Sequence, residues 1–593
     1  MRTPVLRFLL DAVGRRKAAV LLGLSATMSV VDLFGIAVIF PYLEAVTQPN
    51  ARVSHVMIAW FPDLDRTGHI LILSLVIILL YAAKNLMQAL LFRYQFREMA
   101  RLTEKVTNDV VLRMLQARYA MFQQTPVSSL ASVAHNYTLH VTMSFQAFIQ
   151  ALNDALFLGL LLLGFLVIQP ALALSLLGVL AVVAAVIYFG LIRRTTGLGR
   201  QQTQVESMRY RLLFSIITAI RDIKIMGLER LFDARNREIS SSYAAVAWRY
   251  NLFGALPRLF IEFMVLSGAV IFTASYVLFN TSIEAIAPTL GVAVIAALRT
   301  VPSFSRLAGA IHNYRFSEPI VERLTKARDD LTAAAQTLRR DDELHFEHAI
   351  ELRGIAFQYG NAQTLRNINM LVRRGQSVGI VGPSGCGKTT LLDLITGLQP
   401  AACGEFLCDG QRFDPFTSRS MQNLIGYVSQ SITLLDDTIA FNVSFEHRPD
   451  PERLRRAIRI ANLEQFVASL PEGVETQVGE NGVRLSGGQR QRVGIARAIY
   501  REPAILVFDE ATSSLDIIAE RELTAEIAQL RGGITKVIVT HRLSTIVDCD
   551  HIYVLSRGAV VDSGTHRELL TRCELYRRLS DEEKMPVLQN AIA

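Results

Sequence analysis

The sequence predicts a multidomain membrane protein: an all-α domain of six transmembrane helices, followed by a soluble α/β domain. Three observations carry this. The 593 residues are 51% apolar and 19% charged, with a mean hydropathy of +0.30, against about 25% charge in an ordinary soluble chain. Apolar runs long enough to cross a bilayer recur up to about residue 307. After residue 345, short β-rich runs alternate with helical patterns. This composition excludes a disordered chain and disfavours a wholly soluble enzyme.

Charge follows the same division. Residues 1–345 hold 34 Lys and Arg against 23 Asp and Glu, and the remainder holds 27 against 30. The basic excess belongs to the apolar half, so membrane topology explains it better than nucleic acid, and no nucleic-acid partner is expected. All five cysteines lie from Cys386 onwards and none has metal-ligand spacing. The C-terminal part therefore fits a reducing compartment.

Arg15-Arg16-Lys17 precede the first apolar stretch, which is too long for a signal peptide and is read as a retained span with a cytoplasmic N-terminus. Residues 4–13 read as a short amphipathic helix at the interface. The spans are placed at about 18–43, 69–92, 143–168, 171–192, 256–280 and 283–307. Gln169-Pro170 divides the uncharged stretch 155–192 into a tight hairpin. Arg and Lys crowd the segments between spans 2 and 3 and between spans 4 and 5, which makes both cytoplasmic. Their helical patterning predicts that spans 2–5 continue well beyond the bilayer. In the outer loop, Val53, Val56, Met57, Trp60 and Phe61 fall on one face of a helix; packing on the spans and guiding a substrate are both open to it. Charge rises from Glu318 to Glu347. The resulting division is a membrane domain at 1–325, a linker at 326–345 and an α/β domain at 346–593.

The α/β domain carries the clearest chemistry. An apolar strand, then Gly382, Pro383, Ser384, Gly385, Cys386, Gly387, Lys388 and Thr389, then a helix, meets the spacing G-x-x-x-x-G-K-T in its strand–loop–helix context. Such a loop turns backbone N–H groups towards phosphates, with Lys388 reaching the terminal phosphates and Thr389 an Mg²⁺ ion. Ile505–Phe508 is an apolar strand that delivers Asp509 and Glu510 to its C-terminal end. Asp509 can hold the metal, and Glu510 can act as general base or orient the attacking water. Between them, Ser486, Gly487, Gly488 and Gln489 open a second helix N-terminus. One chain does not need two such sites for one phosphate tail, so this one is expected to close over a partner chain's nucleotide.

Leu485–Gln489 between a P-loop and ILVFDEAT resembles the ATP-binding-cassette ATPases over about residues 346–575. The resemblance implies ATP and Mg²⁺ as ligands, Thr390 beside the P-loop, and Tyr359 stacked on adenine. It implies Gln430 as the glutamine that senses Mg²⁺, Ser513–Asp516 as the D-loop, and His541 as the switch histidine near the γ-phosphate. Glu480 resembles a residue of the exporter loop before the signature, with Asn481 where Arg is common. Six spans ahead of one such domain resemble a bacterial type IV ABC exporter half-transporter. From this follow ATPase activity, an inner membrane, a second copy of the chain as partner (with a related chain as the alternative), and coupling helices near 117–130 and 214–228.

Ionisable residues inside spans are costly and are functional candidates by default. Arg258 and Glu262 stand at i, i+4; Arg299 and Arg306 lie seven apart on one face, with Pro302 between them expected to kink the helix; Asp32 and Lys84 can pair across spans 1 and 2. A structural salt bridge at Arg258–Glu262 and a cytoplasmic-end position for Arg306 are the plain alternatives. SVVDLFGIAVIFPYL, ALPRLFIE and R-x-x-P-S-x-x-R resemble the lipid-linked-oligosaccharide flippases. This implies Arg258, Arg299 and Arg306 as substrate residues for an amphipathic anionic lipid in the bilayer. An exporter of another lipid, peptide or drug is the alternative.

Overall fold

The structure, a computed structural model, describes residues 13–37, 42, 66–168, 178, 181–182, 184–279, 287–335, 342–360, 362–510 and 533–581. The expected helix at 53–61, most of the one at 4–13, the first part of span 4 and the D-loop lie outside the described residues. The chain divides into two compact units, residues 1–117 with 121–335, and residues 118–120 with 336–593.

The first unit is helical. Its elements are α1 (Arg15–Ala37), α2 (Arg66–Gln116), the short α3 (Tyr119–Gln124, in this unit from Met121) and α4 (Val127–Ser132), and α5 (Thr138–Ile168). After them come α6 (Arg193–Thr218), α7 (Ile220–Met226), α8 (Glu229–Phe279) and α9 (Ala287–Ala333). Helices α2 and α8 each run 51 residues, about 75 Å at 1.5 Å per residue, roughly twice what a bilayer core needs. Spans 2 and 5 thus carry the long extensions expected of them. Among the described residues, three helical stretches are long and apolar enough to cross a membrane: Arg15–Gly35, Thr67–Gln116 and Val127–Gly164. The two short helices α3 and α7 fall in the segments expected to hold coupling helices, and Gly227 caps α7 at φ 65°.

The core of this unit comes from side chains at helical spacing. Leu102, Val106 and Val110 of α2, Val141, Phe145 and Ile149 of α5, and Ile320, Val321 and Leu324 of α9 are all buried in one cluster. One expectation needs adjustment. Helix α9 contains Pro302 and Pro319 within its length. It also continues to Ala333, inside the stretch read as linker, because Ile320, Leu324 and Leu331 keep a buried face despite the charges between them.

The second unit holds two sheets. Strands β1 (Ala349–Tyr359), β2 (Ala362–Arg373), β4 (Cys403–Cys408) and β5 (Gln411–Phe413) form an antiparallel sheet in the order β2-β1-β4-β5. Strands β3 (Ser377–Val381), β6 (Ile425–Val428), β7 (Ile505–Asp509), β8 (Thr535–Thr540), β9 (His551–Ser556) and β10 (Ala559–Gly564) form the other, ordered β10-β9-β3-β8-β7-β6. In it β9, β3, β8, β7 and β6 are mutually parallel. A parallel strand covered on both faces reads as a continuous apolar run. Accordingly every residue of β7 is buried, with Ile505 and Val507 in one core and Leu506 and Phe508 in the other. The consequence for the site is positional: the C-terminal ends of β3, β8, β7 and β6 lie side by side.

Candidate functional site

The loop after β3 turns sharply into helix α10 (Lys388–Ile395). Gly382 leaves the strand where a Cβ would sit 2.1 Å from the Leu555 carbonyl oxygen, so no side chain fits. Gly387 caps α10 at φ 105°, in the left-handed region that favours glycine. Lys388 is 7% exposed, and its ammonium donates to the carbonyls of Gly382 at 2.7 Å and Pro383 at 3.2 Å. These bonds hold the cation across its own loop. Pro383, Ser384, Gly385 and Thr389 are exposed, whereas Cys386 and Thr390 are buried.

At the end of β7, Asp509 is buried and its Oδ2 accepts from the Tyr427 hydroxyl of β6 at 2.9 Å. Burial pushes the Asp509 carboxyl above its usual range; the Tyr427 hydroxyl opposes this, and the neighbouring Glu510 charge adds to it. Asp393 of α10 is pushed up to about 6 by burial and by Asp509. Two acids buried together make a negative pocket that a divalent cation relieves. The donor set of Asp509, the exposed Thr389 hydroxyl and Gln430 therefore fits Mg²⁺.

Glu510 follows with φ 49°, a left-handed backbone unusual for a side chain of its size. Its N–H donates to the Val539 carbonyl at 2.8 Å, which fixes that turn against β8. Its carboxylate is held from two sides: Gln430 Nε2 donates to Oε2 at 2.8 Å, and His541 Nδ1 lies 3.2 Å from Oε1. Residues from the ends of three adjacent strands thus meet on one carboxylate. A backbone held in a sparsely populated region persists only where its surroundings enforce it, and such positions cluster at functional sites.

Ser486 caps helix α11 (Gly487–Tyr500). Its Oγ accepts from the Gln489 N–H at 3.2 Å, and Gln489 Oε1 accepts from the Ser486 N–H at 2.8 Å. A Cβ at Gly487 or at Gly488 meets nothing within 4 Å. The chain's own packing gives no reason for either glycine. Asn481 adopts φ 52°, which Asn tolerates better than most side chains. Tyr359 ends β1 as an exposed residue, edge-to-face with Phe357 at 4.8 Å.

In the membrane unit, Arg258 Nε donates to Glu262 Oε1 at 2.9 Å within α8, and both remain exposed. Lys84 and Asp32 pair at 2.5 Å, as their spacing allowed. Arg306 takes a partner that sequence reading overlooked: Asp154 of α5, the last charge before the uncharged stretch. Arg299 lies on α9 with its side chain outside the described part. The other overlooked residues are Tyr427, three positions before Gln430, and Asp393, in the second turn of α10. An acid in an apolar P-loop helix was the available signal for Asp393.

Comparison with known proteins adds to this geometry. A family model described as "ABC transporter" matches residues 365–513, and one described as "ABC transporter transmembrane region" matches residues 34–300. An "ATP-dependent lipid A-core flippase" of Burkholderia pseudomallei (strain 1710b) is 45% identical over 235 residues, which is 39% of this chain and 39% of that one. The match thus spans well under half of that relative. A protein of the same name from Ralstonia nicotianae is 32% identical over 505 residues, 80% of this chain and 82% of that one. A solved structure titled "Structure of a bacterial Atm1-family ABC exporter with ATP bound" superposes with a TM-score of 0.79. It covers 96% of this chain and 99% of that one at 21% identity, a likeness of fold.

Proposed function

The chain belongs to the ABC transporters and has the fold of their type IV exporters, and from that premise we propose that it hydrolyses ATP to flip an amphipathic, phosphate-bearing glycolipid across a bacterial inner membrane. The carrying observation is the convergence of Gln430 and His541 on the Glu510 carboxylate, in a chain whose apolar spans carry arginines. Arg258, Arg299 and Arg306 suit a phosphate or pyrophosphate, because a guanidinium meets such a group with two parallel hydrogen bonds. The span motifs favour a lipid-linked oligosaccharide. The relatives' name favours lipid A-core. The two cargoes share sugar, phosphate and lipid chains.

In this reading Glu510 accepts the proton of the water that attacks the terminal phosphate. Gln430 and His541 hold its carboxylate towards that water, and the left-handed turn at Glu510 aims it. Lys388 leaves its loop carbonyls for the terminal phosphates, while Tyr359 stacks on the adenine. Thr389, Asp509 and Gln430 would hold an Mg²⁺ ion, which would supply charge neutralisation at the phosphates. Gly487 and Gly488, open on the side where a side chain would stand, suit close approach by the nucleotide of a second copy of the chain. ATP closes the pair of ATPase domains, and hydrolysis resets them, which alternates the access of the membrane cavity.

The test separates cargo from engine. Arg299→Ala in proteoliposomes should lose ATP-dependent flipping of a lipid-pyrophosphate-linked oligosaccharide or of lipid A-core, yet keep its cargo-independent ATPase activity. Equal loss of both rates would count against a cargo-binding role. Full flipping in the variant would remove Arg299 from the cargo path, whereas ATP hydrolysis by wild type with no flipping of either lipid would favour an exporter of another lipid, a peptide or a drug.

A further inference from the structure

Arg306 sits in α9 where the sequence places the end of span 6, and its guanidinium is already occupied. Nη2 donates to Asp154 Oδ1 at 2.7 Å, and Nε lies 3.2 Å from both carboxylate oxygens. Nη2 also donates to Ser303 Oγ at 2.9 Å, one turn back on the same helix. The two partners differ in exposure. The Asp154 side chain is 7% exposed, deep between helices, whereas the Arg306 side chain keeps 48% of its surface open. The acid is part of the packed wall; the base faces out of it.

The neighbourhood makes this clasp costly to keep. On α1, Ser29 Oγ donates to the Asn153 carbonyl at 3.2 Å, which brings the first span against α5 beside Asp154. Asp32, one turn further along α1, pairs with Lys84 of α2 at 2.5 Å. Four spans therefore contribute two acids and two bases to one region of the membrane unit. An uncompensated guanidinium there is expensive, so the unloaded protein needs a counter-ion for Arg306. A buried carboxylate pays much of that gain back in lost hydration, so the pair is only marginally favourable.

From this arrangement we infer that Asp154 is a built-in competitor for the cargo's anionic headgroup: it neutralises Arg306 when no cargo is bound and yields the open guanidinium to a phosphate when cargo arrives. A phosphate offers the same two-pronged acceptor geometry with more charge. Asp154 is then a specificity-determining residue, because a neutral amphiphile cannot displace it. The inference rests on the anionic-cargo reading above.

The experiment measures binding of diphosphoryl lipid A to the purified full chain in nanodiscs. The proteins compared are wild type, Asp154→Asn, Arg306→Gln, the double variant and Asp154→Glu, with thermal unfolding as the check on folding. Asp154→Asn should half-saturate at roughly tenfold lower lipid A, a change equivalent to one unit in log Kd. Arg306→Gln should need roughly tenfold more, the double variant should follow Arg306→Gln, and Asp154→Glu should not bind tighter than wild type. Should the asparagine variant not fold, Asp154→Ser removes the same charge and is read in the same way. Unchanged or weaker binding by the charge-free variants, with wild type binding, would overturn the competitor role and leave the anionic-cargo reading standing. Lack of lipid A binding by wild type and by both charge-free variants would overturn the inference and exclude lipid A from the anionic-cargo reading.

Discussion

Two glycine-to-alanine changes in one ATPase unit should fail in opposite ways. At Gly382 the new methyl carbon would lie 2.1 Å from the Leu555 carbonyl oxygen and 2.8 Å from Cys386 Sγ. Both neighbours are held, one by the β9 strand and the other by the loop, so strand or loop must shift. Overpacking of that kind costs about 1–3 kcal/mol, and each kcal/mol lowers the melting temperature of a domain this size by about 2–4 °C. At Gly487, the first residue of α11, the methyl meets nothing within 4 Å. Alanine there removes unfolded-state freedom and adds helix propensity, a gain of a few tenths up to about 1 kcal/mol. If the glycine exists for a nucleotide on a partner chain, turnover should nonetheless fall by about a hundredfold, as when one preorganised donor is lost. The assay is paired: thermal unfolding and phosphate release on the same full-length preparations. Gly382→Ala should lose both stability and turnover; Gly487→Ala should lose turnover alone. Wild-type turnover in Gly487→Ala, or a clear fall in its melting temperature, would refute the reasoning.

Three further outcomes follow from the geometry. Glu510→Gln should lower ATP turnover by about 10²–10⁴-fold, the range for loss of a general base, and trap ATP in the closed dimer; normal phosphate release would remove its assigned role. Tyr427→Phe strips a buried carboxylate of its donor and should cost the ATPase unit about 1–3 kcal/mol, visible as a lower melting temperature. His312, beyond the sixth span, is pushed down to about 4 by burial, and its ring nitrogens contact Thr195 Oγ1 at 3.0 Å and the Tyr250 carbonyl at 3.1 Å. Its folded value lies below the unfolded one, so the unfolded chain binds the proton first and stability rises with pH. The contribution is complete above about pH 6.5 and is lost as pH falls towards 4, on the order of 3 kcal/mol in all. Melting temperatures from pH 8 to 5 should fall less in His312→Gln than in wild type.

Much of the ATPase unit was legible because its chemistry is carried by short contiguous motifs. A run such as Gly382–Thr389 encodes strand exit, turn and helix start in successive residues, and the apolar strand Ile505–Phe508 can only deliver Asp509 and Glu510 to its own end. The convergence of Gln430 and His541 on Glu510 was not visible in this way. It depends on strand order, β8 and β6 flanking β7, which no local spacing records. Lys84–Asp32 was readable because each is an isolated charge in an apolar span. Arg306–Asp154 was missed because the partners stand 152 residues apart, and attention fell on the uncharged stretch after Asp154. The helical end of α9 was hidden by its charged, solvated face, although Ile320, Leu324 and Leu331 keep the helical period of buried positions.

The most direct test of the account is ATP-dependent flipping in proteoliposomes, with lipid A-core and a lipid-pyrophosphate-linked oligosaccharide as parallel cargoes and Glu510→Gln as the hydrolysis-dead reference. The account predicts that wild type moves at least one of these phosphate-bearing glycolipids with ATP, and that the variant moves neither. Robust ATP hydrolysis by wild type with no movement of either lipid would contradict it.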